Sequence, residues 1–264
     1  MRASSDPVTR SAGPLIHARA LLFNVWFWLW TGVMALVILP SIALPWRWMW
    51  GLVLFWLGGI RAGLRLIVGL DVEIRGLERV PGRPVVFAVK HQSAWETLVL
   101  PLIQPDVSIV LKRELADLPF FGWYTRKTGM IAVQRSAGAQ ALRALVQSAR
   151  AVIAGGRSII IFPEGTRAPV GRHGNHHPGI AALYRQLDAP IVPVALNSGL
   201  YWGRRSFLKR PGTVLIEFLD PLPPGLERVE FMRRLKAELD GATDRLVAEG
   251  EGRLQEAPLS EATS

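Results

Sequence analysis

From Ala20 to Leu39 the chain carries no charged side chain. As a helix that stretch is about 30 Å long, close to the thickness of a bilayer core. Such a segment belongs in lipid or inside protein. Pro40 and Pro45 break it, and a second apolar run, Met49 to Ile60, stops at Arg61. At roughly 1.5 Å per residue the second run is too short to cross a bilayer alone. Trp26, Trp28 and Trp30 lie well inside the first run, and Trp46, Trp48, Trp50 and Trp56 follow. Tryptophan prefers the membrane interface to its centre. The spread therefore predicts a hairpin dipping into one leaflet, with one true transmembrane helix as the competing reading. Ser41-Ile42-Ala43 resembles a small-x-small cleavage site. The apolar run is longer than a signal peptide's, however, and a second one follows, so no signal peptide is expected.

From about Leu70 the texture changes. Short β-rich runs (Val72–Arg75, Val85–Lys90, Val107–Leu111, Met130–Gln134, Ser158–Phe162, Ile191–Leu196 and Thr213–Leu219) alternate with helix-like stretches, notably Ala137–Ala154, Gly179–Gln186 and Glu227–Glu249. That alternation predicts an α/β fold: a central mixed, largely parallel sheet flanked by helices, with an N-terminal membrane-associated helical hairpin. The expected organisation is a polar lead over 1–19, the hairpin over 20–66, the α/β domain over 67–250 and a disordered tail over 251–264. In such folds chemistry is expected at strand ends.

The chain has no cysteine, which excludes disulfides, thiolate zinc sites and a cysteine nucleophile together. A net charge of +10 on a chain that is half apolar points to an anionic partner. The apolar excess favours a membrane over nucleic acid, and the basic residues are not clustered with stacking aromatics.

At the end of one predicted strand stands His91, with Glu96 five residues later. That layout can place an imidazole at the open end of a buried strand with a carboxylate near enough to hold one ring nitrogen, a general base with its orienting partner and no need of a metal. Ser93-Ala94-Trp95-Glu96 also fits a capping box, with Glu96 bonding back to the Ser93 amide. A carboxylate has two oxygens, so both roles are compatible. Ser93 reads as a cap, not as a nucleophile.

Phe162-Pro163-Glu164-Gly165-Thr166-Arg167 forms a strand exit carrying an acid, a glycine, a hydroxyl and an arginine. Gly165 permits a tight backbone with exposed amides, and the planar fork of Arg167 suits phosphate. The alternative is an ordinary surface salt bridge. Lys112 and Arg135 end successive predicted strands and together could form a phosphate pocket, while Pro119-Phe120-Phe121-Gly122-Trp123 reads as core. Pro190 and Pro193 in an apolar run suggest an edge strand or a bulge. His173, His176 and His177 lie in a glycine-rich segment with no acid at ligand spacing, so a solvated loop is expected.

Taken in order, the four blocks around His91–Glu96, Lys112–Arg135, Phe162–Arg167 and Ile191–Val194 resemble those of the 1-acyl-glycerol-3-phosphate acyltransferase family of membrane-bound glycerolipid acyltransferases. The resemblance covers roughly residues 70–220. One departure stands out: Glu96 occupies the place of the family's usual aspartate. The resemblance implies transfer of a fatty-acyl group from acyl-CoA or acyl carrier protein to lysophosphatidic acid, giving phosphatidic acid. His91 would be the base and Glu96 its partner. Lys112, Arg135 and Arg167, with Glu164, Gly165 and Thr166, would bind phosphate, Glu164 orienting Arg167 or the loop. Amides near Gly165 would hold the oxyanion. No metal or resident cofactor is implied, and the catalytic domain would face the cytoplasm from the membrane, with membrane lipids as partners and no nucleic acid. Rival readings are another acceptor (a lyso-ornithine lipid, a lysophospholipid or glycerol 3-phosphate) and a non-catalytic basic membrane adaptor.

Overall fold

A computed structural model describes residues 13–119, 121–134 and 137–256. The predicted phosphate-binding Arg135 and the aromatic Phe120 lie outside the described residues, as does the polar lead up to residue 12.

Two apolar helices open the chain, α1 (Pro14–Ile38) and α2 (Trp46–Gly63), joined by a 3₁₀ turn at Leu39–Ala43. Helix α1 starts inside the predicted polar lead, with Pro14 at its first turn, where a missing N–H is harmless. The second run is longer than its apolar stretch suggests. It passes Arg61 and continues as a π turn over Leu64–Val68, ending at Gly69 in the left-handed conformation. The indoles clasp the two helices together. Trp26 Nε1 donates to Gly59 O at 3.2 Å, Trp30 Nε1 to Trp56 O at 2.9 Å and Trp56 Nε1 to Thr31 Oγ1 at 3.2 Å. Those three tryptophans therefore owe their positions to the helix–helix contact.

Seven strands follow: β1 (Leu70–Arg75), β2 (Val86–Val89), β3 (Val107–Lys112), β4 (Ile131–Val133), β5 (Ser158–Ile161), β6 (Ile191–Leu196) and β7 (Gly212–Phe218). They form one sheet in the order β1-β7-β6-β2-β5-β3-β4, parallel throughout except for the β6–β7 pair. The expected mixed, largely parallel sheet is observed. Its central strands are apolar without alternation because both faces are covered. Val86 and Ala88 of β2 face a layer made by α6 (Gly138–Ala154), α7 (Pro178–Gln186) and the start of α8 (Arg228–Glu256). Val85, Phe87 and Val89 face α2 and α3 (Trp95–Ile103), meeting Trp50 and Leu100.

Three expectations are corrected. Strand β6 is not at an edge; it lies between β7 and β2. Pro193 is tolerated there because the antiparallel ladder begins only at Val194, opposite Phe218, while the Pro193 carbonyl still accepts from Leu219 N at 2.9 Å. The aromatic segment is not core: Phe121 and Trp123, on α5 (Phe121–Lys127) just after the short α4 (Arg113–Ala116), are 42% and 47% exposed. The C-terminal tail begins later than expected, since α8 runs to Glu256. Gly250 does not end the helix but lets it approach the chain after β6. A Cβ at Gly250 would stand 2.5 Å from Asn197 Nδ2.

Candidate active site

The carboxyl ends of β2, β3 and β5 converge on one cavity of about 1630 Å³. Its walls are mostly apolar and come from α1, α2, α5 and α6 as well as from the strand ends. His91, two residues past β2, opens into it.

His91 Nδ1 lies 2.8 Å from Glu96 Oε1. That oxygen also accepts from the Gln92 and Ser93 amides at 2.7 Å each, so the carboxylate caps the helix start and holds the imidazole at once. Glu96 Oε2 accepts from Ser198 Oγ at 2.8 Å. Every partner can donate, which matches an acceptor-only carboxylate in a fully buried position. With Nδ1 donating to Glu96, Nε2 is left as the basic nitrogen on a side chain that is 13% exposed. Ser93 Oγ accepts from Trp95 N at 3.1 Å, in keeping with its reading as a cap. Phe162 stacks on the imidazole, centroids 4.1 Å apart, and Ala168 N donates to the His91 carbonyl at 2.8 Å. The Phe162–Arg167 turn is thereby fastened to the histidine by ring and backbone alike.

Lys112, Gly165, Thr166 and Arg167 all line the cavity with His91. The amide of Gly165 donates to Phe162 O at 2.9 Å, closing the turn, so it is not the free oxyanion donor expected there. Glu164 also departs from expectation. It turns away from the cavity and is buried, paired with the fully buried ammonium of Lys90 and accepting from Gly174 N at 3.2 Å. It therefore neither binds phosphate nor orients Arg167; it anchors the loop from behind.

The histidine-bearing loop is not simply solvated. Lys90 Nζ also reaches Asp240 Oδ1 at 3.3 Å and His173 Nδ1 at 3.0 Å. His176 is packed in the same cluster with both ring nitrogens lacking a hydrogen bond, and burial pushes its pKa down to about 4. Burial tends to raise the Asp240 carboxyl, but the hydrogen bond from Lys236 and the charge of Lys90 bring it below its ordinary value. Ligand-type atoms of Glu164, His176 and Asp240 lie within 4.8 Å of one another. The acids that sequence spacing did not supply come from distant segments. Lys90 already places a positive charge on two of the three, so the cluster is built as an ion pair and not as a cation cage.

Sequence reasoning missed Phe162 as a ring partner, Ser198, Lys90 and the cavity-lining Arg204 and Arg205. Ser198 is 102 residues from Glu96 in sequence, and only the end of β6 brings them together.

A model of the Acyltransferase family matches residues 71–197. The chain is 41% identical, over 152 residues, to the 1-acyl-sn-glycerol-3-phosphate acyltransferase of Pseudomonas aeruginosa, covering 58% of this chain and 59% of that one. It is 26% identical over 188 residues to the lyso-ornithine lipid O-acyltransferase of the same organism, covering 64% and 72%. The chain thus spans about three fifths of the first of these relatives. Among solved structures, the 1-acyl-sn-glycerophosphate acyltransferase PlsC of Thermotoga maritima superimposes with a TM-score of 0.70, covering 87% of this chain and 97% of that one at 19% identity. At that identity the match speaks for the fold.

Proposed function

From the match of residues 71–197 to the Acyltransferase family model and the geometry of the site, we propose that the protein transfers a fatty-acyl group from a thioester to the sn-2 hydroxyl of 1-acyl-glycerol-3-phosphate, yielding phosphatidic acid. The observation that carries the proposal is the His91–Glu96 pair at 2.8 Å, opening into a largely apolar cavity that also holds Lys112 and Arg167.

His91 Nε2 takes the acceptor hydroxyl proton as the oxygen attacks the thioester carbonyl. The C–O bond forms, the C–S bond breaks, and the departing thiolate takes its proton from the imidazolium. A thiol pKa of about 8.5 makes the sulfur a good leaving group. Glu96 keeps Nδ1 protonated and offsets the charge that develops on the ring. Lys112 and Arg167 hold the acceptor phosphate, and the apolar walls take acyl chain. The thioester, on coenzyme A or acyl carrier protein, is a co-substrate, and no resident cofactor enters the scheme.

The protein attaches to the membrane through α1 and α2, with the catalytic domain on the cytoplasmic side. Arg19 lies near the start of α1, Arg61 and Arg65 near the end of the second helical run, and Arg47 near the turn between the helices.

Thiol release by the purified protein with palmitoyl-CoA and lysophosphatidic acid tests the reading. Wild type is expected to form phosphatidic acid, and His91→Ala to lose about 10²-fold or more in rate. Full activity in His91→Ala would overturn the mechanism. Lyso-ornithine lipid is the comparison acceptor, prompted by the second relative. Preference for it, with no phosphatidic acid formed, would move the chain to that acceptor class.

A further inference from the structure

Lys112 ends β3 and Arg167 follows β5, two strands on one side of β2 and its histidine. Another pair of cations, on the segment that follows β6, lines the same cavity. Arg204 and Arg205 follow β6, which flanks β2 on its other edge. The segment bearing them is tied in place. Ser206 N donates to Gly203 O at 3.1 Å, closing a four-residue turn with the arginines at its centre. Lys209 Nζ donates to Asn24 Oδ1 at 2.7 Å, Asn24 Nδ2 to Phe207 O at 3.3 Å and Arg210 N to Tyr201 O at 2.9 Å. Arg205 has φ 57°, the single positive φ on a non-glycine residue among those described. The third position of such a turn favours glycine or asparagine. An arginine held there against its backbone preference suggests that the side chain, not the turn, is what matters. Neither guanidinium has an ion-pair or hydrogen-bond partner among the described residues, though both are exposed beside a cavity.

We propose that Arg204 and Arg205 form a second phosphate site, in addition to that of Lys112 and Arg167, that holds the phosphopantetheine phosphate of the thioester donor. The inference rests on the acyl-transfer reading above. That reaction brings two phosphate-bearing molecules to one imidazole, and the cavity wall supplies two cationic pairs, one at the ends of β3 and β5 and one after β6. Arginine forks suit a phosphodiester or pyrophosphate, which presents paired oxygens. Coenzyme A and acyl carrier protein share this phosphate, so the site serves either donor.

The test compares wild type with Arg205→Gly and Arg204→Gln/Arg205→Gly, full chains in detergent micelles. Glycine suits the turn, so unchanged or higher melting temperatures are expected and loss of fold does not confuse the result. For palmitoyl-CoA and palmitoyl-acyl carrier protein, KM is expected to rise about tenfold or more in the double variant. For palmitoyl-pantetheine, which lacks the phosphate, and for lysophosphatidic acid, KM should stay within twofold. A rise for palmitoyl-CoA alone narrows the contact to the nucleotide's phosphates and overturns the shared-phosphate form. Equal weakening on palmitoyl-pantetheine, an effect confined to the acceptor, or no effect overturns the proposal. So does weaker sedimentation with anionic vesicles at unchanged donor KM, which would assign the arginines to lipid headgroups. Binding of coenzyme A, followed by tryptophan fluorescence, needs no turnover. If wild type releases no thiol with either acceptor, the acyl-transfer reading fails, while this titration still decides the arginine site: it should weaken about tenfold in the double variant, and equal binding refutes it.

Discussion

Glu96 is buried with four donors around it, and the division of its two oxygens explains how a glutamate serves where relatives of this type are expected to carry aspartate. One oxygen takes His91 Nδ1 and two helix-start amides; the other reaches Ser198 Oγ at 2.8 Å. The added methylene is thus held at both ends, and the imidazole inherits the rigidity of the end of β6. Ser198→Ala leaves Oε2 unsatisfied in a buried site, an effect of about 1–3 kcal/mol. We expect kcat to fall about tenfold with KM for both substrates unchanged. Aspartate at 96 is too short to keep both His91 and Ser198. In a Glu96→Asp background, Ser198→Ala should therefore lower kcat by less than about twofold. The four-variant cycle of kcat values measures that coupling, and strictly additive losses would show that Ser198 does not act through Glu96.

At the scale of elements, the loop between β5 and α7 is gripped from behind by β2 and α8, through Lys90, Glu164, His173, His176 and Asp240. This grip carries a pH dependence. His176 has its pKa pushed down to about 4 by burial, against an ordinary value of 6.5. Between those two values the unfolded chain binds a proton that the folded chain refuses, so stability is full above about pH 6.5 and declines as pH falls toward 4. The loss is at most about 3–4 kcal/mol, from about 1.4 kcal/mol for each pH unit of the gap. Asp240 is held below its ordinary value of 3.8, so it adds its own loss only at lower pH. Melting temperatures of wild type and His176→Gln between pH 7.5 and 4 test this: the wild-type decline should flatten in the variant. All seven strands were legible from runs of β-branched residues, and His91 with Glu96 from a five-residue spacing. The grip was not, because Lys90 and Glu164 are 74 residues apart and Lys90 and Asp240 are 150 apart. The prolines of β6 misled for a related reason. Whether a missing N–H matters depends on where a neighbouring ladder starts, and no single strand encodes that.

For the whole molecule, the decisive relation is between the hairpin and the α/β domain. Helix α2 touches that domain at both ends. Near its start, Trp50 Nε1 donates to Pro105 O at 2.6 Å, and the Arg157 guanidinium lies over the Trp46 ring at 4.6 Å. Near its end, Ile60 and the following Leu64 share a core with Trp95 and Val99 of α3. A helix fastened at both ends to a polar domain cannot cross a bilayer without pulling that domain into lipid, where unpaired charges are costly. That favours the one-leaflet form of the membrane attachment proposed above, and the outer stripe of α1 has the right chemistry for it: Val25, Trp28, Leu29, Val33 and Leu36 are all exposed, Leu36 at 73%. Burying such side chains contributes about 1.5–3 kcal/mol each. Leu29→Asp/Leu36→Asp should accordingly abolish sedimentation with liposomes. The inner face is untouched, so activity on short-chain, water-soluble substrates should stay within about twofold of wild type. A truly spanning α1 would give a different result. A cysteine introduced at Leu44, in the turn between the helices, would then be labelled only from the far side of sealed vesicles, whereas a hairpin confined to one leaflet leaves it reachable by no membrane-impermeant reagent on that side.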